Sequence, residues 1–170
     1  MYQGFAGVYT FLGEYRKMEV LGLSNKVKYT EFANLKDFLQ AIRQADEYQI
    51  KTKEGTRPPT LTECRKIITN IVPKEKFFQA KIINFLKRLE DCFVWKEQAG
   101  YGYQISGLPD VCCIIGGRFF GFEVKRPFIG KVSPIQRERM EEIRKAGGVA
   151  EVVSYVDEVK AILESEGVHG

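Results

Sequence analysis

Apolar residues recur at helical spacing in several stretches of the chain. In the first of these stretches, Leu35, Phe38, Leu39 and Ile42 fall on one face of a helix. Threonine and proline residues mark helix starts further on, and a glycine pair marks a helix end. Five helices are predicted: over residues 35–42, from Thr60 or Thr62 to about Ile71, from Pro73 to about Leu89, from Pro134 to Gly147-Gly148, and over 155–163.

Other apolar stretches alternate with polar residues, or are short and continuous, as in β-strands. Residues 27–32 and 48–52 fit this pattern, and with the first helix they predict a small β-α-β-like appendage over about residues 1–55. Residues 54–59 have the composition of a turn or linker. The remaining predicted strands cover residues 93–96, 111–115, 118–125 and 149–153.

A glycine pair, Gly116-Gly117, separates two of these strands and is a β-hairpin signal. Directly opposed residues of an antiparallel pair have Cβ atoms roughly 4.5–5.5 Å apart. Strand side chains alternate between faces, so Glu123 and Lys125 share one face while Val124 points to the other. A turn centred on the glycines predicts three pairs: Ile115 with Arg118, Cys113 with Phe120, and Asp110 with Glu123.

Two acids brought together in this way repel each other unless a cation lies between them. Carboxylate oxygens suit Mg²⁺ or Mn²⁺, and such a cation can polarise a phosphoryl oxygen and lower the pKa of a bound water. Lys125 would stabilise the charge that develops on a phosphate, or orient the attacking water. Asp110, Glu123 and Lys125 therefore form a candidate phosphodiesterase site. The alternative is an ordinary hairpin that happens to carry two acids and a lysine.

Two helix starts offer further candidate residues. Glu75 begins the apolar stripe of the third helix; it is either a first-turn acid favoured by the helix dipole, or a third metal ligand or orienting group. Ser133, Pro134 and Gln136 form a capping-box pattern at the fourth helix. Gln136 either caps the helix or contacts the attacking water or the scissile phosphate. Lys131 precedes this helix start, a combination that favours a phosphate.

Composition narrows the class of protein. The chain has 170 residues and a net charge of +4, and its last thirty residues are acidic, so the positive excess lies around the candidate site. This positive excess fits a polyanionic partner.

The four cysteines do not have the spacing of a metal-binding site, and we predict a reducing, cytoplasmic location. No membrane span or secretory signal is visible in the sequence. The one histidine, His169, lies near the end of the printed sequence, which argues against histidine-dependent catalysis.

The order of these motifs resembles the VRR-NUC family of the PD-(D/E)XK nuclease superfamily. The resemblance covers about residues 73–160. Its most specific parts are Glu-Val-Lys-Arg-Pro at 123–127, Gly130-Lys131, and Ser-x-x-Gln at 133–136. It implies an α/β fold with a restriction-endonuclease-like core: a helix, a three-stranded antiparallel meander, a helix, a strand and a closing helix. We predict this nuclease domain over residues 61–170, after an N-terminal α+β appendage of unknown role over 1–60.

The resemblance also implies roles for individual residues. Catalysis is assigned to Glu75, Asp110, Glu123, Lys125 and Gln136, and Mg²⁺ or Mn²⁺ binding to Asp110, Glu123, Glu75 and the Val124 carbonyl. Tyr101 and Tyr103 lie in a glycine-aromatic loop that could border a substrate groove or simply pack. With Arg126, Lys131 and Ser133 they complete the predicted DNA contacts.

The function implied is that of a metal-dependent DNA endonuclease, phage-encoded or bacterial, that acts as a homodimer on branched DNA such as Holliday junctions. Three alternatives stay open: a less selective nuclease on duplex, flap or single-stranded DNA, a DNA-binding module without catalysis, and a restriction enzyme with a defined site. Intact acids and lysine disfavour the second alternative.

Overall fold

The main sheet of the protein has four strands, and the candidate site lies at one end of it. In the computed structural model, residues 27–97 and 105–168 are described. The helices are α1 (Leu35–Gln44), α2 (Leu61–Ile71), α3 (Glu75–Leu86), α4 (Pro134–Lys145) and α5 (Val156–Ser165). The strands are β1 (Ile50–Thr52), β2 (Gly55–Arg57), β3 (Cys92–Lys96), β4 (Val111–Ile115), β5 (Arg118–Val124) and β6 (Val149–Val153).

The order of strands in this sheet is β3-β4-β5-β6. The first three form an antiparallel meander, and β6 pairs parallel to β5 after the α4 crossover. Gly116 and Gly117 have φ angles of 55° and 81°, which a type I′ hairpin requires at both central positions. The pairs Ile115–Arg118 and Cys113–Phe120 are those expected from the sequence. The predicted α/β class and the helix–meander–helix–strand–helix order are therefore confirmed.

The two faces of β5 have different roles. Phe120, Phe122 and Val124 are completely buried and pack in the core with residues of α3 and α5. Glu123 points to the opposite face and is also completely buried, a position that charged side chains rarely take without a partner. The strand therefore places a carboxylate inside the protein at its C-terminal end.

The region before α2 differs from the prediction. Residues 27–32 are not a strand: Tyr29–Glu31 is a turn of 3₁₀-helix, and Val27, Tyr29 and Phe32 pack against the core instead of pairing. Residues 54–59 are not only a linker, because β2 within them pairs with β1. The described part of the appendage is thus a helix followed by a hairpin, without the predicted β-α-β order.

The start of the third helix also differs. Pro73 precedes the N-cap residue Lys74, and α3 runs from Glu75 to Leu86, three residues short of the predicted end. Val72 before the proline is extended (φ −74°, ψ 126°), because a following proline disfavours helical backbone. The proline therefore separates α2 from α3 and does not open α3.

Helix α1 shares the core of the sheet. Phe38 and Ile42 are fully buried and belong to the same hydrophobic cluster as Phe120 and Phe122. The boundary at residue 60 stays a prediction; within the described residues, α1 packs directly on α2. No helix in the described ranges is long and apolar enough to cross a membrane.

The hydrogen bonds of Glu63 at the start of α2 predict that the stability of the protein depends on pH. Thr60 and Glu63 form a reciprocal capping box, and both oxygens of Glu63 accept hydrogen bonds of 2.9 Å from Arg57. The hydrogen bonds from Arg57 and then from Thr60 lower the pKa of Glu63 from 4.5 to about 2. A carboxyl group whose pKa is lower in the folded than in the unfolded state stabilises the fold at pH values above its unfolded-state pKa. This contribution to the free energy of unfolding is lost as the pH falls towards the folded-state pKa.

We expect Glu63→Gln to have a lower melting temperature than wild type at pH 7. The difference should shrink between about pH 4.5 and pH 2, where the wild-type carboxylate becomes protonated. Thermal unfolding followed by circular dichroism across this range measures the difference. Glu54→Gln, on an exposed turn of the neighbouring hairpin, is the control and should leave the pH dependence unchanged. A Glu63→Gln difference that is constant with pH would contradict this account.

Candidate active site

Asp110 lies immediately before β4 and beside the end of β5. Its main-chain carbonyl accepts the Glu97 N–H at 3.0 Å, and its Oδ2 accepts the Val124 N–H at 2.9 Å. Pro109 before it packs on Gly121, where an added Cβ would lie 2.7 Å from the proline Cγ. The carboxylate of Asp110 is therefore fixed against the strand that carries Glu123.

Glu123 is the centre of a hydrogen-bonded cluster. Its Oε1 accepts hydrogen bonds from Lys125 Nζ and, at 2.5 Å, from Gln136 Nε2. Lys125 Nζ also lies 4.0 Å from Asp110 Oδ2, so the lysine sits between the two acids. Among the described residues, Glu123 Oε2 is buried and has no hydrogen-bond partner. The hairpin thus brings Asp110, Glu123 and Lys125 together, as the sequence predicted.

The electrostatics of this cluster follow from burial and pairing. Burial raises the pKa of Glu123 above its ordinary value, and the hydrogen bond from Lys125 partly offsets this effect. Burial alone would lower the pKa of Lys125, but the hydrogen bond and charge of Glu123 outweigh it and raise that pKa. Lys125 is therefore held as a cation next to a carboxylate that is costly to ionise.

Gln136 performs two structural tasks at once. Its Oε1 accepts the Ser133 N–H at 2.8 Å, which completes the capping box of α4. Its Nε2 donates to Glu123, so the start of α4 is tied to the end of β5. The capping role expected from the sequence is thus present, and the other end of the amide bonds Glu123, a contact that the sequence did not indicate.

Glu75 is the first residue of α3 and lies near the cluster. It is half-buried, and burial raises its pKa while the charge of Lys125 lowers it and that of Asp110 raises it. Its carboxylate is therefore within electrostatic reach of Lys125 and Asp110. Within the described ranges, however, no three His, Cys, Asp or Glu side chains form a group that could hold a metal ion. The role of Glu75, as a third ligand or as an orienting group, stays a prediction.

The residues predicted to contact DNA differ in their exposure and in their hydrogen-bond partners. The guanidinium of Arg126 donates to carbonyl oxygens at the C-terminal end of α2, a structural role that the sequence did not indicate. Lys131 is exposed, whereas the Ser133 hydroxyl accepts the Gln136 N–H at 3.3 Å. Tyr101 and Tyr103 lie outside the described residues.

Two residues that support the site were missed from the sequence. Gly121 lies in the middle of β5, where glycine often marks a close approach, and it leaves space for Pro109. Phe128 follows the site in the loop after β5, has a φ of 67° and packs on Phe38 of α1. The glycine could have been read from the sequence, but nothing in the sequence indicated the Phe38–Phe128 contact.

The donor atoms at this site fit a small divalent cation. Mg²⁺ is usually bound through one or two carboxylates and completes its octahedral shell with waters and substrate oxygens. Asp110 and Glu123 supply two carboxylates, and the partnerless Glu123 Oε2 leaves one buried lone-pair site unused. A ready-made cage of three acids is not required for this type of binding.

The chain is similar to two solved structures whose names match the resemblance. One, "VRR_NUC domain", is 28% identical with a TM-score of 0.44, and the match covers 53% of this chain and 94% of that one. The other, "VRR_NUC domain protein", is 23% identical with a TM-score of 0.44, and the match covers 55% of this chain and 87% of that one. No protein-family model and no curated protein matches the chain.

Proposed function

We propose that this protein is a divalent-metal-dependent endonuclease that hydrolyses phosphodiester bonds in DNA, with a preference for branched DNA such as Holliday junctions. The observation that carries the nuclease assignment is the convergence of Asp110, Glu123 and Lys125 at the end of β5. A buried carboxylate with one partnerless oxygen is costly for folding, and a binding role accounts for its presence.

The metal would be held by the carboxylates of Asp110 and Glu123 and by the Val124 carbonyl, with Mg²⁺ or Mn²⁺ as the ion. When bound, the cation supplies polarisation of a phosphoryl oxygen and a lower pKa for a coordinated water. Glu75, within electrostatic reach of Asp110 and Lys125, adds negative charge near the same end of the sheet.

The protein's own groups provide the remaining chemistry. Lys125 is held as a cation by Glu123 and lies where it can stabilise charge that develops on the phosphate. Gln136 fixes Glu123 through the 2.5 Å hydrogen bond and thereby limits its rotamers. Lys131, exposed before the N-terminus of α4, is placed to contact the phosphate backbone. We assign Arg126 to the scaffold, because its guanidinium is bound to backbone carbonyls.

A homodimer would present two such sites to two strands of a four-way junction, since two-fold symmetry relates both the sites and the strands. Sedimentation of the protein, free and bound to junction DNA, tests this part of the proposal. A monomer in both conditions would remove the dimer but leave the nuclease assignment in place.

The decisive experiment is cleavage of a labelled four-way junction beside matched duplex, flap and single-stranded DNA. Each reaction is run with Mg²⁺, with Mn²⁺ and with EDTA. Metal-dependent, paired symmetric cuts in the junction alone support the full proposal. Equal cutting of all substrates would replace junction preference with general nuclease activity. Tight binding without cutting would favour a DNA-binding module.

Variants of Gln136 separate its two tasks. We expect Gln136→Ala to lose about 1 kcal/mol of stability, as for a removed cap, and to cleave more slowly. Gln136→Glu keeps a side-chain acceptor for the Ser133 N–H but replaces the donor to Glu123 with a repelling carboxylate. It should therefore keep the cap of α4 but cleave at least about tenfold more slowly than wild type. Wild-type cleavage by Gln136→Glu would restrict this residue to capping.

A further inference from the structure

We infer that helix α1 positions Lys125, because the contact between Phe38 and Phe128 holds the loop that packs on this lysine. The loop comprises residues 126–130 and follows Lys125, the first residue after β5. The inference rests on the proposed function for the importance of Lys125, and it gives the region before α2 a role in the site.

The loop closes tightly over the base of Lys125. A Cβ added to Gly130 would lie 2.7 Å from the Lys125 Cβ, and 2.8 and 2.9 Å from backbone O and N of Arg126. The Gly130 N–H donates to the Arg126 carbonyl at 2.8 Å, which closes the turn. Only a residue without a side chain fits there, so the position of Lys125 and the conformation of the loop depend on each other.

The middle of the loop is held by an aromatic contact with α1. Phe128 has a φ of 67°, a conformation that bulky residues rarely adopt and that needs support from the surrounding structure. Its ring packs on Phe38, with ring centroids 5.2 Å apart and an interplanar angle of 56°. Phe38 is fully buried and also stacks on Phe32 at 5.1 Å, so it offers a fixed surface.

The start of the loop is held by α2. Arg126 Nε donates to the Pro73 carbonyl at 2.8 Å, and Arg126 Nη2 donates to the Thr69 carbonyl at 2.7 Å and to that of Val72. Charged donors satisfy the free carbonyls at a helix C-terminus well. Phe128 contacts α1, and Arg126 binds the C-terminal end of α2. Both helices therefore hold the loop in the conformation that places Gly130 against Lys125.

The test compares Phe128→Ala with Ile42→Ala. Ile42 is equally a buried core residue of α1 but lies one turn beyond Phe38, so it controls for general loosening of the core. Phe128→Ala should lower kcat for DNA cleavage at least about tenfold, since small misplacements of a catalytic group are costly. KM and DNA affinity should stay at wild-type values, and Phe128→Tyr, which keeps the ring, should restore kcat. Assays are run well below the melting temperature of every variant.

Gly130→Ala is a second variant that leaves the core untouched. It should lower kcat by a similar factor, because its methyl group would displace Lys125 or the backbone of Arg126. If Ile42→Ala loses as much kcat as Phe128→Ala, or if Gly130→Ala cleaves as wild type, the inference is overturned.

Hydrogen exchange at the Gly130 amide gives a readout that does not depend on activity. Exchange should be faster in Phe128→Ala and Phe38→Ala than in wild type and Ile42→Ala, because the turn opens when its anchor is lost. Unchanged exchange in Phe128→Ala would overturn the positioning role whether or not the protein cleaves DNA. Absence of cleavage by wild type, with the exchange pattern as expected, would instead refute the proposed function alone.

Discussion

Replacing Lys125 by alanine is expected to lower the rate of DNA cleavage by at least about 100-fold, the usual effect of removing a charge-stabilising donor. DNA affinity should stay within about twofold of wild type, because the ammonium is only slightly exposed and is paired with Glu123. Lys125→Met should behave in the same way, since it keeps the stem that packs against Gly130. Single-turnover cleavage and equilibrium binding measure the two quantities separately.

The control for this prediction is Lys145→Ala. Lys145 is exposed at the far end of α4, opposite to the end that carries Gln136, and its removal should change neither cleavage nor binding. If Lys125→Met cleaves at the wild-type rate, Lys125 is not catalytic. If both lysine variants lose binding equally, Lys125 contributes only general positive charge.

Replacing Glu123 by glutamine should abolish detectable cleavage and at the same time raise the melting temperature. A neutral amide costs less to bury than a carboxylate with a partnerless oxygen, and we expect a gain of about 1 kcal/mol, equivalent to roughly 2–4 °C. The remaining side-chain oxygen can still accept from Lys125 and Gln136. This result would show that Glu123 is retained for function at a cost in stability, which is common for functional residues.

The pH dependence of this gain has a definite sign. Burial raises the folded-state pKa of Glu123, so ionisation of this group destabilises the fold as the pH rises above its unfolded value of 4.5. The advantage of Glu123→Gln should therefore be largest near neutral pH and vanish towards pH 4.5. Glu151→Gln, on the neighbouring strand and in a solvent-exposed ion pair with Arg144, should change stability little and leave cleavage unchanged. A strongly destabilised Glu123→Gln would mean that the ion pair with Lys125 outweighs the cost of burial.

Local sequence patterns were sufficient to predict most of the helices and strands that form the core. The glycine pair and the alternation around it predicted the register of β4 and β5, since hairpin geometry depends on neighbouring residues only. The capping signals at Thr60 or Thr62 and at Ser133 predicted the starts of α2 and α4 for the same reason, and the structure shows that Thr60 is the cap of α2. They were not sufficient at residues 27–32, where apolar residues pack against distant core residues and do not pair in a sheet.

The sequence by itself determined the hairpin that brings Asp110, Glu123 and Lys125 together, because residues close in the chain and a fixed side-chain alternation decide that arrangement. Only the tertiary structure decided which end of Gln136 meets Glu123 and that Arg126 binds the end of α2. It also decided that Phe38 supports the loop beside Lys125. The Gln136–Glu123 contact joins a strand to the helix after it, and the other two contacts join residues 53 and 90 positions apart. No hairpin fixes these distances, so they depend on how the separate elements pack.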